Sequence, residues 1–189
     1  MRLVIMGPPG AGKGTQAAVL AAAIGVSHIS TGDIFRLNVS NGTPLGVQAK
    51  AFMDAGEYVP DDLTNSMVRD RLSKSDCGAG FLLDGYPRTL EQVGELDAMR
   101  EGGGGFVDKG VERIVDVDEV VDRLVKRSAD QGRSDDGEGV IRHRLEVYFE
   151  ATAPLTELYE KRGLLVRVSG MGAVEDVSGR VLEALGVNA

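Results

Sequence analysis

Residues 7–16 read GPPGAGKGTQ, and they stand between an apolar run at residues 3–6 and an Ala-rich run at residues 17–23. A glycine-rich loop between a strand and a helix binds phosphate when its backbone N–H groups turn inward and a lysine, here Lys13, adds a positive charge. A glycine-rich turn without a ligand is the alternative, but the flanking segments and the match through Lys13 argue against it. A nucleotide is therefore the expected ligand.

The loop departs from the usual phosphate-binding pattern at one place. Gly14 stands where Ser or Thr is usual, and Thr15 follows one position later. The hydroxyl that usually holds magnesium is therefore displaced by one residue.

Composition restricts the class of protein. The chain has 189 residues, which is enough for one sizeable core with small appended lobes. Its 21 Lys and Arg against 29 Asp and Glu give a net charge of -8, which argues against nucleic acid or an anionic membrane as the main partner. A single cysteine, Cys77, permits no internal disulfide, and neither a signal peptide nor a membrane span is apparent. We expect a cytoplasmic protein.

Strand-like and helix-like segments alternate along the chain, which predicts an α/β fold with a parallel sheet of five strands flanked by helices. In such folds the ligand crevice lies at the carboxyl ends of the strands. The predicted strands cover residues 3–6, 28–30, 81–83, 111–117 and 164–168. Asp118 is the expected N-cap of a helix through Arg127, and a longer helix is expected from about Glu138 to Arg162.

Two features have no evident role at this stage. Gly102 to Gly105 form a run of four glycines that predicts a surface connection. Arg113 interrupts a strand that should be apolar throughout if both faces of the sheet are covered.

Four segments, taken together, point to a family: GPPGAGKGTQ (7–16), STGDIFR (30–36), FLLDGYPRT (81–89) and GRSDD (132–136). They closely resemble the adenylate kinases of the short-lid type, which are P-loop nucleoside monophosphate kinases, and the resemblance spans essentially the whole chain. It implies reversible transfer of the terminal phosphoryl group from Mg-ATP to AMP, giving two ADP, by a monomer that needs Mg²⁺. It also implies an AMP-binding lobe at residues 30–59 and a short lid at residues 127–137.

On the ATP side, the resemblance implies that Lys13 and the loop N–H groups cradle the phosphates. Asp84 should organise Mg²⁺ through water, because Mg²⁺ loses its own water reluctantly; an aspartate that merely forms the turn with Gly85 is the alternative. The residues assigned to ATP are Gly10, Ala11, Gly12, Lys13, Gly14, Thr15, Arg127 and Gly172.

On the AMP side, Arg36 and Arg88 correspond to the phosphate contacts, although each alone would more often be a solvated surface residue. Thr31 and Gln92 are where the family reads the base, but Thr89 to Gln92 is also a capping-box pattern in which Gln92 would bond only the backbone. The residues assigned to AMP are Thr31, Arg36, Glu57, Tyr58, Val59, Gly85, Tyr86, Pro87, Arg88, Gln92, Arg133 and Arg144.

The reaction needs cations rather than a general base, since a phosphate oxygen whose second pKa is about 6 is already ionised at neutral pH. The segment between Arg127 and Val140 has no large apolar residue and should be a mobile flap that delivers Arg133 on closure. Asp135 and Asp136 either pair with arginines or form an ordinary solvated turn. The catalytic set is Lys13, Asp84, Arg88, Arg127, Arg133 and Arg144.

Three other functions remain open. A UMP/CMP kinase shares most of the pattern, but the resembling pyrimidine kinases tend to have Ala at the position of Thr31. A nucleotide-binding switch module is disfavoured because the chain has no N-K-x-D motif, and an inactive binder because every expected cation is present. No zinc site is expected, since the only histidines are His28 and His143 beside one cysteine.

Overall fold

The first strand of the chain lies in the middle of a five-stranded sheet. The computed structural model describes residues 1–101, 107–131 and 138–187. The strands in these ranges are β1 (Arg2–Met6), β2 (Ser27–Ser30), β3 (Phe81–Asp84), β4 (Lys109–Ile114) and β5 (Leu165–Ser169). All neighbouring strands are parallel and their spatial order is β2-β3-β1-β4-β5, so the predicted α/β fold with five parallel strands is confirmed.

Helices cover both faces of this sheet. They are α1 (Lys13–Ile24), α2 (Thr31–Ser40), α3 (Pro44–Ala55), α4 (Asp61–Leu72), α5 (Leu90–Glu101), α6 (Val117–Gln131), α7 (Glu138–Val147), α8 (Pro154–Lys161) and α9 (Val174–Ala184). α1 ends where predicted, because Gly25 takes the left-handed conformation (φ 69°) that a side chain would disfavour.

Alternation along β1 divides the core into two layers. Leu3 and Ile5 point to the layer that contains α1 and α9, whereas Val4 and Met6 point to the layer that contains α4, α5 and α8. Successive side chains of a strand point to opposite faces, so an apolar run buried on both sides is what a central parallel strand requires.

Two smaller apolar clusters lie beside the main core. Phe35 and Ala49 join α2 to α3, together with Val59. Val120 and Leu124 of α6 pack against Ile141 and Leu145 of α7. The segment of residues 30–59 thus has a cluster of its own, while its role as an AMP-binding lobe stays a prediction.

Strand β4 and helix α6 differ from the sequence-based expectation. β4 covers Lys109–Ile114 rather than residues 111–117, and α6 begins at Val117. The residue that caps α6 is Asp116, whose Oδ1 accepts the Glu119 N–H at 3.2 Å, so the prediction of Asp118 as the cap is wrong. A valine-rich sequence favours a strand, and the strand ends three residues earlier than expected, before the carboxylate that caps α6.

The long helix predicted from Glu138 to Arg162 is interrupted. A π-helical turn, Tyr148–Thr152, separates α7 from α8. α8 begins at Pro154, which has no N–H to donate, so the regular hydrogen-bonding pattern cannot continue through it. The four glycines at 102–105 lie outside the described residues.

No helix within the described ranges is long and apolar enough to cross a membrane.

Candidate active site

The site begins at the carboxyl edge of the sheet, where β1 leads into the glycine-rich loop and β3 ends at Asp84. Ile5 and Asp84 are paired in register, so the loop that follows β1 lies beside this carboxylate. A Cβ placed on Gly14 would be 3.3 Å from Asp84 Oδ2. The buried Asp84 therefore faces the loop at the start of α1, where backbone N–H groups favour anions.

The conformation of the glycine-rich loop requires glycine at positions 10 and 12, among others. Gly10 and Gly12 have φ values of 80° and 71°, in the region that other residues rarely adopt. A Cβ on Gly10 would lie 2.8 Å from Leu124 of α6, so the loop packs directly on that helix. The Lys13 ammonium group folds back across the loop and donates to the carbonyl oxygens of Gly7 (2.7 Å) and Pro8 (2.8 Å).

Lys13 lies in a strongly cationic environment. Its pKa is lowered to about 7, first because burial penalises the charged amine. Asp84 raises this pKa, whereas the nearby charges of Arg88, Arg144 and Arg127 lower it further. Four positive groups around one carboxylate make a site that is suited to several phosphate groups.

Two clefts meet at these cations. The first cleft is lined, among others, by Thr31, Glu57, Tyr58, Val59, Pro87 and Gln92. The second cleft is lined, among others, by Gly10, Gly12, Gly14, Thr15, Asp84 and Arg127. Both clefts share the cationic residues Lys13, Arg36, Arg88 and Arg144.

The structure thus brings most of the sequence-predicted residues to the two clefts, including Gly85, which lines both. Ala11 is an exception, because its side chain is fully buried and only its backbone belongs to the loop. Gly172, in the loop after β5, is also not among the residues that line the second cleft. Arg133, Asp135 and Asp136 lie outside the described residues, as does the predicted lid beyond Gln131.

Arg88 is held by a network that the sequence analysis missed. Its Nε donates to Gly85 O at 2.7 Å, and its guanidinium carbon lies 4.8 Å from the centre of the Tyr58 ring. Thr152 donates to Arg88 O at 2.9 Å and is 2.7 Å from the Tyr58 hydroxyl. The only sequence signal for Thr152 was its position near Pro154, where the helix has to change. The network fixes both ends of the arginine.

Gln92 does not make the side-chain half of the capping box, and its role in reading the base stays a prediction. The Gln92 N–H donates to Thr89 Oγ1 at 3.1 Å, which is half of the capping box. Its side chain does not return to Thr89, however, but accepts the Arg88 N–H at 2.7 Å and donates to Asp61 at 2.6 Å. Although Gln92 is only 1% exposed, it still lines the first cleft. Asp61, which orients its amide, was another residue that the sequence analysis missed.

The hydroxyl of Thr31 is also oriented by the protein. Thr31 Oγ1 donates to Gly85 O at 2.9 Å, which leaves its lone pairs as acceptors on the wall of the first cleft. Ser30, rather than Thr31, caps α2 by accepting the Asp33 N–H at 3.2 Å. Thr31 is therefore not needed as the cap.

The side chain of Tyr86 does not face the first cleft, so only its backbone is available for the predicted AMP contact. Tyr86 was assigned to AMP with its neighbours, but its side chain is 1% exposed and belongs to the main core. Its hydroxyl donates to Asn65 at 2.8 Å and to Gln92 O at 3.2 Å, and burial raises the pKa of the phenol. The run FLLD is followed by a turn whose second residue points inward, and the sequence alone does not show that direction.

Three polar residues near the second cleft, Arg123, His28 and Arg113, have distinct surroundings. Arg123 forms an ion pair with Glu119, as its i, i+4 spacing predicts, and also lines the cleft. His28 Nε2 is buried without a hydrogen-bond partner, 4.0 Å from Asp84 Oδ2. Arg113, which had no evident role, is buried beneath the glycine-rich loop.

Comparison with known proteins gives a consistent result. The family described as Adenylate kinase matches residues 5–164. The chain is 57% identical to a protein named Adenylate kinase from Nocardioides sp. over 187 residues, which cover 99% of this chain and 98% of that one. It is 55% identical to an Adenylate kinase from Thermobifida fusca, covering 98% of each chain. A third, from Clavibacter michiganensis, is 54% identical over 97% of this chain and 92% of its own.

Proposed function

Since this chain belongs to the adenylate kinase family, we propose that it transfers the terminal phosphoryl group of Mg-ATP reversibly to AMP, giving two ADP. One observation supports this above the others: two clefts share a wall that contains Lys13, Arg36, Arg88 and Arg144. Two nucleotides that exchange a phosphoryl group have to meet phosphate to phosphate, and the meeting point carries most of the negative charge.

The second cleft holds ATP. Its phosphates take the N–H groups at the start of α1 and displace the contacts that Lys13 makes with Gly7 O and Pro8 O. Arg127, which lies on the wall of the same cleft, reaches the transferring group. These charges are in place before the reaction, so they stabilise the transition state without reorganising.

The first cleft holds AMP. Arg36 and Arg88 bind its phosphate, and Arg88 is suited to this because Tyr58, Gly85 and Thr152 fix its position. Thr31 and Gln92 offer oriented polar groups to the base. A pocket built to hydrogen-bond one base leaves polar groups unpaired with another, which is how such a site gains selectivity.

Asp84 suits the expected Mg²⁺. Its carboxylate is a hard oxygen donor beside the phosphate loop. Among the described residues it belongs to no group of three or more His, Cys, Asp or Glu side chains that could hold a metal ion. The remaining oxygens would come from the nucleotide and from water. When bound, the ion would neutralise charge on the phosphates, and Asp84 would hold it through water.

We assign the closing step to the lid at residues 127–137, which includes Arg133. The described part of this segment, residues 127–131, is the end of α6. Before it, Leu124 of α6 packs with Ile141 of α7. The two helices that flank the predicted flap are therefore packed together. The family resemblance is also the ground for proposing a monomer that acts in the cytoplasm.

The test is a panel of acceptors. The protein is incubated with Mg-ATP and AMP, GMP, CMP or UMP, and diphosphate formation is measured. We expect AMP to be preferred over CMP and UMP by at least ~10²-fold in kcat/KM, because the wrong base leaves buried polar groups unpaired. Comparable turnover on UMP would indicate a UMP/CMP kinase, and slow hydrolysis without an acceptor would indicate a nucleotide switch.

A further inference from the structure

Arg113 of β4 is a buried cation whose side chain bridges two loops. It is 4% exposed. Nη1 donates to Ala11 O in the glycine-rich loop, and Nη2 donates to Gly170 O, 3.2 Å away, in the loop between β5 and α9. Nε is buried without a hydrogen-bond partner. The arginine that interrupted an apolar strand in the sequence therefore joins the phosphate loop to the loop that carries Gly172.

No carboxylate balances this charge within the described part of the chain. No Asp or Glu oxygen lies within 4.0 Å of the Arg113 nitrogens there. Arg123 and Arg167, by contrast, form ion pairs with Glu119 and Glu112, and Arg180 donates to Met171 O. Burial, together with the charges of Arg123 and Arg180, lowers the pKa of Arg113 to about 10, so the group stays protonated at neutral pH. Burying a cation without an anion is unfavourable unless another group offsets it.

The two loops are shaped to admit the guanidinium. A Cβ on Gly12 would lie 2.8 Å from Nη1, and a Cβ on Gly170 would lie 3.1 Å from Nη2. Glycine at these positions lets both backbones approach the charged group closely. Gly12 is thus required on two grounds, its positive φ and this contact.

The contact with Ala11 O determines the direction of the next N–H group. In a planar trans peptide the C=O and the following N–H point in opposite directions. Arg113 binds the Ala11 carbonyl from beneath the loop, so the Gly12 N–H is aimed away from it, toward the open side where the phosphates bind. A cation on the carbonyl also polarises the peptide and strengthens that donor.

We propose that Arg113 is a positioning residue for the ATP half of the site, which holds the Ala11–Gly12 peptide in its phosphate-binding orientation without touching the nucleotide. This rests on the assignment of ATP to the second cleft. Bound phosphate is also the anion that offsets the buried charge, so ATP binding and the Arg113 contact reinforce each other.

The experiment measures the two substrates separately. Arg113→Met removes the guanidinium group and leaves an unbranched apolar side chain, whereas Arg113→Lys keeps the positive charge. Dissociation constants for Mg-ATP and for AMP are measured by titration calorimetry, with KM and kcat for each substrate. We expect Arg113→Met to weaken ATP binding at least about tenfold, a change of about 1.4 kcal/mol, with AMP binding within twofold of the parent and partial recovery in Arg113→Lys.

Arg180→Met is the matched control, because Arg180 donates to Met171 O in the loop after β5 but does not contact the phosphate loop. Equal loss of ATP binding in both variants would overturn the proposal, since the effect would then come from the loop after β5. Equal weakening of ATP and AMP, or a lower melting temperature with unchanged ATP binding, would also overturn it. If the parent protein bound neither nucleotide, the proposed function itself would fail instead.

Discussion

Lys13 illustrates how burial changes the chemistry of a single group. Its pKa lies near 7 rather than 10.5, so in the protein without nucleotide a large part of the amine is neutral above pH 7. A phosphate placed beside it favours the ammonium form. ATP binding should therefore be accompanied by uptake of a proton, and the effect should grow as the pH rises from 6 to 8.

We predict that at pH 8 binding of Mg-ATP takes up close to one proton, since about nine-tenths of a group with pKa 7 is then neutral. Calorimetric titrations in two buffers of different ionisation enthalpy give this number. The uptake should fall toward zero near pH 6, where Lys13 is already charged.

Lys13→Met serves as the control for this measurement. It should show no uptake at pH 8 and should lose most turnover while remaining folded, because Lys13 is the first residue of α1 and belongs to none of the apolar clusters. Equal proton uptake in the parent and the variant would assign the titration to another group.

For single residues, the sequence predicted the residue types of the site better than it predicted the directions of their side chains. Lys13, Arg36 and Arg88 lie in three of the family segments and line both clefts. Arg127 and Arg144 lie outside those segments and were assigned from the family resemblance.

The inward direction of the Tyr86 side chain was not predicted, because a turn residue can point either way. Arg113 was unexplained because its partners are backbone atoms 57 and 102 positions away in the chain. Contacts of that kind leave no local pattern.

Helices α6 and α7 flank the proposed lid, which contains Arg133. Leu124 and Ile141 anchor the two helices to each other, whereas the segment between them has no large apolar residue. We expect Arg133→Ala to leave the free energy of unfolding almost unchanged but to lower kcat by at least ~10²-fold, with a smaller effect on ATP affinity.

Arg142→Ala is a suitable comparison for Arg133→Ala, since Arg142 is an exposed arginine on α7 close to the lid. Steady-state kinetics and thermal unfolding of both variants separate a local catalytic charge from a general loss of positive potential. If Arg133→Ala kept kcat within a few-fold of the parent, the lid would only cover the site.

The boundaries of elements were predicted less well than their existence. Val115 and Val117 extend the valine-rich sequence of β4, but Asp116 caps α6 and ends the strand region. The turn at Tyr148–Thr152 depends on Pro154 and on the contacts of Thr152 with Arg88 and Tyr58. The helical periodicity gave no sign of either tertiary contact.

For the whole molecule, the alternation of strands and helices was sufficient to predict a parallel five-stranded sheet with its site at the carboxyl edge. The strand order was not predicted, since order depends on which strands pair across long separations. β1 pairs with both β3 and β4, and it is therefore buried in the middle of the sheet.

That central position has a consequence for synthesis on the ribosome. β1 is made before any strand with which it pairs, and Phe81 follows Met6 by roughly 4 to 15 seconds at about 5–20 residues per second. Nascent chains stalled with only β1 and β2 outside the exit tunnel should remain open to proteases at residues 2–6, and protection should appear only after β4 has emerged. During that interval an apolar strand with two unpaired edges is exposed to other nascent chains, so the early part of the chain is where a chaperone would be needed most.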